Sequence, residues 1–245
     1  MEFHVLTIFP GMFDSPFRWG VVARAMQRSL VRLVVHDLRA FGCGPHASTD
    51  DYPYGGGGGM VMRPEPLFLA VEAAREVGAM GPVILLSPQG EIFTQSMARE
   101  LARLPGMILI CGRYEGVDER VRTGLVEREV SIGDYVLSGG ELAAMVLMDA
   151  VSRLLEGVVG NQDSILMESF ETGILDCPQY TRPAVFRGME VPAVLLSGDH
   201  GAIARWRRRE ALRQTLKRRP ELLEVAPLTQ EDRAMVESLR AEEGL

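Results

Sequence analysis

The stretch SIGDYVLSGGE, residues Ser131–Glu141, decides the architecture that we predict for this chain. It follows an apolar run, passes through a polar segment rich in glycine, and leads into a second apolar run. Ser138 and Glu141 have the spacing of a capping box, so we expect Ser138 to cap a helix that begins near Gly139. The stretch therefore indicates the end of a strand, a loop and the start of a helix.

Two earlier stretches, LLSPQG (Leu85–Gly90) and LICGRYEG (Leu109–Gly116), have the same organisation. Each follows a short apolar run and breaks into glycine, proline or polar residues. Three such loops at the carboxyl ends of strands predict one ligand site at the edge of a parallel sheet. The alternative interpretation is three ordinary turns between strands and helices.

Composition and cysteine usage indicate a reduced globular protein. The chain has 245 residues, 47% of them hydrophobic, and no apolar run close to the roughly 18 residues that span a membrane. The first ten residues lack the basic region of a signal peptide and predict a first strand, so we expect a cytoplasmic protein. Cys43, Cys111 and Cys177 are widely spaced, which favours free thiols, and the four histidines show no metal-ligand spacing.

Strand and helix patterns alternate along the first two thirds of the chain, which predicts an α/β fold with a mostly parallel sheet. The helix predicted last in this part is apolar nearly all round, so we expect its own sheet or a partner subunit to bury it on every side. The predicted strands are Phe3–Phe9, Val31–Leu38, Val83–Ser87, Met107–Cys111 and Val126–Ile132. The predicted helices are Pro16–Leu30, Pro64–Val77, Thr94–Leu104, Asp118–Thr123 and Gly139–Leu155.

A run of five glycines, Gly55–Gly59, ends a long irregular segment that starts at Arg39. Consecutive glycines cannot hold a packed element without a large entropic cost, so we predict a mobile loop that becomes ordered on binding. The run is not a phosphate-binding P-loop, because no Gly-Lys-Ser/Thr follows it.

A basic segment, Arg182–Arg219, lies inside a chain of formal net charge −7. The chain after the polar linker is predicted to contain extended segments, then a basic helix near Ala202–Lys217, and then two shorter helices around Glu221 and Gln230–Ala241. Clustered arginines indicate either a phosphate-binding face or a solvated helix surface.

The polar groups of the three loops suit a ligand of nucleoside size. No GxGxxG motif opens the sheet, which argues against a dinucleotide site or an ordinary Rossmann methyltransferase. Gln89, Tyr114, Glu115 and Tyr135 can pack against and hydrogen-bond an adenosine, and Glu115 can pair with a cationic group. The loops lack the cluster of basic residues that a ligand rich in phosphates would need, and Arg113 is their one basic residue. The alternative to a ligand contact for Arg113 is a structural ion pair.

Six motifs in one order carry a resemblance to a known family: DDYPYGGGGGM, LLSPQG, LICGRYEGVDER, SIGDYVLSGGE, LDCPQYTRP and VLLSGDH. The chain resembles the bacterial tRNA (guanine-N1)-methyltransferases of the SPOUT superfamily, which modify the guanosine 3′ to the anticodon, at position 37. The resemblance implies a deep trefoil knot in the second half of the first domain, an exception to the rule that chains do not thread loops. It also implies an obligate homodimer with the active site at the subunit interface.

The resemblance further implies that the cofactor is S-adenosylmethionine, bound in a bent conformation within the knot, and that the partner is tRNA. The implied domains are a catalytic domain at residues 1–157, a linker at 158–169 and a small, mainly helical tRNA-binding domain at 170–245. No metal site is expected, although Mg²⁺ is considered as a possible addition to the cofactor. The implied cofactor contacts are Leu85, Leu86, Ser87, Pro88, Gln89, Gly90, Gly112, Tyr114, Glu115, Gly116, Ser131, Ile132, Gly133, Asp134, Tyr135, Val136, Leu137, Gly139 and Gly140. The implied RNA contacts are Asp176, Arg182, Arg205, Arg207 and Arg208.

The reaction needs a general base for the proton on guanine N1 and a cation or donor near O6. Arg153 matches the arginine that ends the long helix in the family, although a cation there also favours the helix dipole. Glu168 stands where the family usually has its aspartate base, and Asp163 is the alternative. A SPOUT enzyme acting on another RNA and a non-catalytic RNA-binding protein that kept the cofactor pocket are the competing functions.

Overall fold

The chain folds into two compact units, Met1–Gly160 and Asn161–Leu245. They are seen in a computed structural model that describes residues 1–160 and 168–244. Most of the predicted linker, including the alternative base Asp163, falls on residues 161–167 and so lies outside the described residues. Among the helices of the described part, none is long and apolar enough to cross a membrane.

A five-stranded sheet in the order β2-β1-β6-β5-β7 forms the centre of the first unit, and every neighbouring pair of strands is parallel. The prediction of an α/β fold with a mostly parallel sheet is therefore confirmed. The strands are β1 (Glu2–Thr7), β2 (Arg32–Asp37), β3 (Asp50–Asp51), β4 (Val61–Met62), β5 (Val83–Ile92), β6 (Gly106–Cys111) and β7 (Arg128–Ser131), of which β3 and β4 form a separate antiparallel pair. The helices are α1 (Gly20–Gln27), α2 (Pro64–Glu76), α3 (Gln95–Leu101), α4 (Glu119–Gly124) and α5 (Glu141–Ser152).

Both faces of the sheet are covered by helices, as a parallel sheet with nearly continuous apolar strands requires. Strand β6 is buried along its whole length, and its alternate side chains enter different hydrophobic clusters. Met107 and Leu109 pack with residues of α1, α3 and α5 on one face. Ile108 and Ile110 pack with residues of α2 and α4 on the other face.

Strand β5 is longer than predicted, because it continues past Ser87 to Ile92. Leu86 and Glu91 both pair with Val130 of β7, so residues 87–90 form a bulge instead of a turn into a helix. Gly90 lies so close to the backbone of Glu129 and Val130 that a side chain there would collide with it. The LLSPQG stretch is therefore an irregularity within a strand and not a loop after one.

The predicted helix Pro16–Leu30 is interrupted. A short 3₁₀ turn covers Pro16–Arg18, and α1 begins only at Gly20. Trp19 between them has an extended backbone, and Gly20 has a φ of +73°, which favours glycine. Local backbone geometry that apolar periodicity does not reveal therefore breaks the helix.

The long helix of the first unit is shorter than predicted and has one exposed apolar side. Its observed range is Glu141–Ser152, against a predicted Gly139–Leu155. The inward side chains, Leu147 and Met148 among them, are buried, whereas Leu142 and Val146 are 50% and 47% exposed in the single chain.

The second unit is mainly helical over its described residues. Its helices are α6 (Ala193–Leu196), α7 (His200–Arg218), α8 (Leu222–Val225) and α9 (Gln230–Glu243), with a short hairpin of β8 (Val185–Phe186) and β9 (Met189–Glu190) that the sequence did not predict. Its core joins α7 to α9 through Leu212, Leu216, Val236 and Leu239. Asp199 caps α7, and Thr229 with Asp232 forms a capping box at the start of α9.

Candidate functional site

The bulge of β5 and the loops that follow β6 and β7 line one cavity of about 440 Å³ in the first unit. These three strands are parallel neighbours in the sheet, in the order β6-β5-β7. The three segments at their carboxyl ends therefore lie at the same edge. A cavity of this size, at the carboxyl edge of a parallel sheet, is typical of a small-molecule site.

Most of the residues predicted to contact the cofactor lie around this cavity. Gly90 and Asp134 do not: Gly90 faces the backbone of β7, as its place in the bulge requires. The predicted residues that line the cavity are Leu85, Leu86, Ser87, Pro88, Gln89, Gly112, Tyr114, Glu115, Gly116, Ser131, Ile132, Gly133, Tyr135, Val136, Leu137, Gly139 and Gly140. Arg113 and Ser138, which lie within the predicted contact stretches Gly112–Gly116 and Ser131–Gly140, line it as well. The lining residues outside the predicted stretches are Val117, Arg122, Val130 and Ala143.

Arg113 and Glu141 form an ion pair next to the cavity. The Nε atom of Arg113 donates to Oε2 of Glu141 at 2.9 Å, and Nη1 donates to the carbonyl oxygen of Ser138 at 3.0 Å. The guanidinium also lies over the ring of Phe9, 4.5 Å from its centroid. Glu141 is fully buried, and its Oε1 accepts a hydrogen bond from Oγ1 of Thr7 at 2.7 Å. One carboxylate thus joins β1, the loop after β6 and the start of α5.

The predicted capping box of Ser138 and Glu141 is wrong. Helix α5 begins at Glu141 with Gly140 as its N-cap residue, and no side chain caps it. The carboxylate that would complete the capping box is engaged by Thr7 and Arg113. The sequence pattern was a local one, whereas the partners of Glu141 are far away along the chain.

Two positions in the loop after β7 need glycine because neighbouring parts of the protein leave no room for a side chain. A side chain at Gly139 would collide with the guanidinium of Arg113. A Cβ atom at Gly140 would lie 2.9 Å from Cα of Cys111, and the amide of Gly140 donates to the carbonyl of Gly112 at 2.9 Å. Gly112 differs, because the nearest atom to a Cβ there is the carbonyl oxygen of Leu86 at 3.6 Å.

Both arginines of the cavity lining are neutralised by carboxylates. Arg122 pairs with Glu129 at 2.7 Å and also donates to the side-chain oxygen of Gln89 at 2.5 Å, which orients that amide. Arg113 pairs with Glu141. The cavity therefore does not present the free cations of a phosphate cradle, in agreement with the nucleoside-sized ligand predicted from the sequence.

The glycine run lies in a loop, residues 52–60, that is hydrogen-bonded to the loop after β6. The amide of Glu115 donates to the carbonyl of Met60 at 3.0 Å, and Met62 pairs with Val117. Tyr114 has a φ of +60°, and its pKa is raised by partial burial and by the neighbouring Asp50.

The two residues predicted to act in the reaction belong to different compact units. Arg153 lies directly after the last turn of α5 and is partly exposed, a position that also suits the helix dipole. Glu168 is partly buried at the first described position of the second unit, and its carbonyl accepts from the amide of Glu171 at 3.2 Å. Their joint action stays a prediction, as does the alternative role of Asp163.

The basic helix α7 is largely neutralised by acidic residues of α9. Arg208 makes a bidentate contact with Asp232, at 2.7 and 2.9 Å, and this contact is the main cause that holds the pKa of Asp232 well below its usual range. Arg213 and Lys217 likewise reach Glu243. These acidic residues follow the basic segment Arg182–Arg219 in the chain, so the charge balance of that segment alone does not include them.

Three of the arginines predicted to contact RNA make no ion pair with any described residue: Arg182, Arg205 and Arg207. Arg208 already has a partner inside the unit, Asp232, and its RNA contact stays a prediction. Asp176 accepts hydrogen bonds from the amide of Cys177 at 2.7 Å and from the side chain of Gln179 at 3.0 Å, so its RNA contact stays a prediction.

Comparison with known proteins agrees with this arrangement. Residues 1–225 match the family model described as tRNA (Guanine-1)-methyltransferase TrmD. The chain is 56% identical to a tRNA (guanine-N(1)-)-methyltransferase of Dehalococcoides mccartyi strain 195, over 99% of this chain and 98% of that protein. Proteins of the same name from Moorella thermoacetica and Dictyoglomus turgidum are 55% and 52% identical, over 100% and 99% of this chain and 98% of each relative. The chain belongs to the tRNA (guanine-1)-methyltransferase family.

Proposed function

We propose that this protein transfers a methyl group from S-adenosylmethionine to N1 of the guanosine at position 37 of tRNA. The observation that carries the proposal is the cavity at which the bulge of β5 and the loops after β6 and β7 meet. Its three segments are the stretches LLSPQG, CGRYEG and SIGDYVLSGGE through which the chain resembles its family.

The cavity fits S-adenosylmethionine in size and in chemistry. About 440 Å³ lies in the usual range for small ligands, and apolar side chains such as Leu86, Ile132 and Leu137 line it beside exposed backbone groups. Glu115 offers a carboxylate to a cationic group, and the two lining arginines are already neutralised. When bound, the cofactor supplies a methyl group on a positively charged sulfur.

The residues of the chain supply the proton chemistry of the reaction. Guanine N1 carries a proton that must leave as the N1–carbon bond forms, and we assign its acceptance to the carboxylate of Glu168. Negative charge grows on O6 as this proton leaves, and we assign its stabilisation to the guanidinium of Arg153. Glutamate retains the carboxylate of the usual aspartate and adds one methylene group to its reach.

We assign cofactor binding and methyl transfer to a catalytic domain at residues 1–157 and tRNA binding to residues 170–245, joined by a linker at 158–169. In the second domain Arg182, Arg205 and Arg207 are the proposed phosphate contacts, because no described carboxylate neutralises them. We further propose that the first domain contains the deep trefoil knot of the SPOUT enzymes, on the strength of family membership.

A homodimer with its active site at the subunit interface is part of the same proposal. The exposed side chains Leu142 and Val146 on α5 support it, because a partner subunit would remove this apolar surface from water. Among the described residues, no group of three or more His, Cys, Asp or Glu side chains is placed to hold a metal ion.

Methylation of two matched transcripts tests the proposed function. One unmodified tRNA carries G at position 37 and the other carries A at the same position, and each is incubated with protein and S-adenosylmethionine. We expect methyl incorporation into the first transcript only. Equal incorporation into both would favour a SPOUT enzyme that acts elsewhere on RNA, and cofactor binding without incorporation into either would favour a non-catalytic RNA-binding protein.

A further inference from the structure

A second cavity, of about 380 Å³, lies entirely within the C-terminal unit. Its walls come from the extended segment around Tyr180, from α6 and from one side of α7 at Trp206. The volume is within the usual range for pockets that bind small ligands or single residues of a larger one. The cofactor cavity of the first unit shares no lining residue with it.

Two aromatic rings line this second cavity. The ring centroids of Tyr180 and Trp206 are 6.2 Å apart, with their planes tilted by 56°. Tyr180 is 48% exposed, and Trp206 is partly buried. An aromatic side chain with an accessible face is a stacking surface for a nucleobase, whatever the identity of the base.

The same cavity carries positive charge that no described carboxylate neutralises. Arg182 and Arg207 line it, and neither pairs with a carboxylate of the described residues, in contrast to Arg208 and Arg213 on the same helix as Arg207. Two cations beside an aromatic pair match a nucleotide, which combines a planar base with a negatively charged phosphate. An apolar peptide would leave both cations without a partner.

We propose that this cavity binds one unstacked nucleotide of the tRNA substrate. Its base stacks against Trp206 and Tyr180, and its neighbouring phosphates contact Arg182 and Arg207. The inference rests on the proposed function, because it takes tRNA as the substrate. A single-stranded loop is the part of tRNA whose bases are free to leave the stack, so the nucleotide comes from the loop that carries position 37.

Fluorescence of Trp206 tests the proposal directly. The chain has two tryptophans, so Trp19→Phe leaves Trp206 as the only one. This variant is titrated with unmodified tRNA and with a series of transcripts that each carry one abasic residue in the anticodon loop. We expect quenching by intact tRNA, and a single abasic position that abolishes the quenching and weakens affinity by about ten- to a hundred-fold.

Side-chain variants separate stacking from charge. Trp206→Leu should weaken binding of intact tRNA by a similar factor, should not weaken binding of the critical abasic transcript further, and should leave the salt dependence unchanged. Trp206→Phe should keep most of the affinity. Arg207→Gln should instead lower the slope of log affinity against log salt by about one. Tyr180→Leu, at an exposed position, provides the same stacking test if Trp206→Leu does not fold.

Three results would overturn the proposal: quenching that is equal for every abasic transcript, tRNA affinity that is unchanged in both leucine variants, or a fluorescence change that follows protein concentration without RNA. The last result would identify the cavity as a contact between copies of the chain. If the unaltered protein still methylates the transcript with G at position 37, only the nucleotide pocket fails. If it methylates neither matched transcript, the proposed function itself fails.

Discussion

Arg113 and Glu141 form an ion pair at 2.9 Å in which the carboxylate is fully buried and the guanidinium lines the candidate cofactor cavity. Through this pair the loop after β6 is held against the first turn of α5. The other oxygen of Glu141 accepts from Thr7 at the end of β1, so the carboxylate joins β1, the loop after β6 and the start of α5. A carboxylate in this position supports the geometry of the cavity without itself lining it.

Removal of this carboxylate should destabilise the first unit and the cavity together. Glu141→Ala leaves Arg113 without its ion-pair partner, and we expect a loss of about 3–5 kcal/mol in the free energy of unfolding. Cofactor affinity should fall as well. Thr7→Val is the matched control, since it removes the hydroxyl's hydrogen bonds to Glu141 and from the Phe9 amide but leaves the ion pair intact, and it should cost about 2 kcal/mol. Urea denaturation and calorimetric titration measure both effects, and a Glu141→Ala variant as stable as the unaltered protein would contradict this role.

Gly112 offers the cleanest test of the cofactor site. A Cβ atom there has ordinary clearance from the rest of the protein, with its nearest neighbour at 3.6 Å, so Gly112→Val should fold. The added side chain adjoins the cavity and should abolish binding of S-adenosylmethionine in a calorimetric titration. Gly140→Val is the contrasting variant, because its Cβ atom would lie 2.9 Å from the backbone of Cys111 and should lower stability directly. Unchanged cofactor affinity in folded Gly112→Val would place the site elsewhere.

Binding of tRNA should depend on Arg205 and Arg207, which form no ion pair with a described residue. The double variant Arg205→Gln, Arg207→Gln should weaken tRNA binding and reduce the slope of log affinity against log salt by about two at most, because two phosphate contacts are lost. Cofactor affinity should not change. Arg240→Gln is the control, since this exposed arginine of α9 pairs with Glu237. If both variants show the same salt dependence as the unaltered protein, the phosphate-binding face lies elsewhere.

The Arg208–Asp232 pair should make the stability of the second unit depend on pH. The pKa of Asp232 is lowered in the folded state, chiefly by its hydrogen bonds to Arg208, relative to about 3.9 in an unfolded chain. The carboxylate therefore contributes stability that is fully present above pH 4 and is lost as the pH falls towards the folded-state pKa.

Asp232→Asn should accordingly be less stable than the unaltered protein at pH 7, by about 1.5–3 kcal/mol for a charged hydrogen-bonded contact, and the difference should shrink as the solution is acidified below pH 4. Unfolding followed by Trp206 fluorescence, in the Trp19→Phe background, measures the second unit. Glu231→Gln, at the exposed neighbouring position, is the control. A stability difference that does not vary with pH would show that charge is not the cause.

The sheet could be predicted from the sequence because its signal is local. Buried parallel strands such as β6 appear as short apolar runs, and their spacing from helical patterns indicates the α/β class. The extension of β5 could not be predicted in the same way, since it depends on pairing of Glu91 and Ile92 with β7. Tertiary pairing continued a strand through residues that, by themselves, favour a turn.

Two charged residues have partners that the sequence did not reveal, and the physical cause is the same. Glu141 has the spacing of a capping residue but binds Thr7 and Arg113, and Arg208 belongs to a basic run but binds Asp232. In each case the partner lies far along the chain, so composition and spacing reveal the charged residue but not the residue that neutralises it. Arg122 and Ala143 lie outside the three motif stretches, and only the fold shows that both line the cavity.

The proposed role of Glu168 predicts a large effect on the rate and a small one on binding. Glu168→Gln keeps the size of the side chain but cannot accept the proton, so we expect methyl transfer to slow by roughly 10²–10⁴-fold with tRNA and cofactor affinities nearly unchanged. Glu168→Asp should keep much more activity, because it retains a carboxylate and places the aspartate usual in the family at this position. Asp163→Asn is the control and should have a mild effect.

Single-turnover methyl transfer, with the product digested and identified as a nucleoside, tests the central claim most directly. The unaltered protein should convert unmodified tRNA with G at position 37 to a product that contains 1-methylguanosine, and Glu168→Gln should form the same nucleoside at the reduced rate. A methyl group on any other atom or nucleotide would contradict the proposed function. Near-normal transfer by Glu168→Gln together with an inactive Asp163→Asn would instead show that Asp163 is the base.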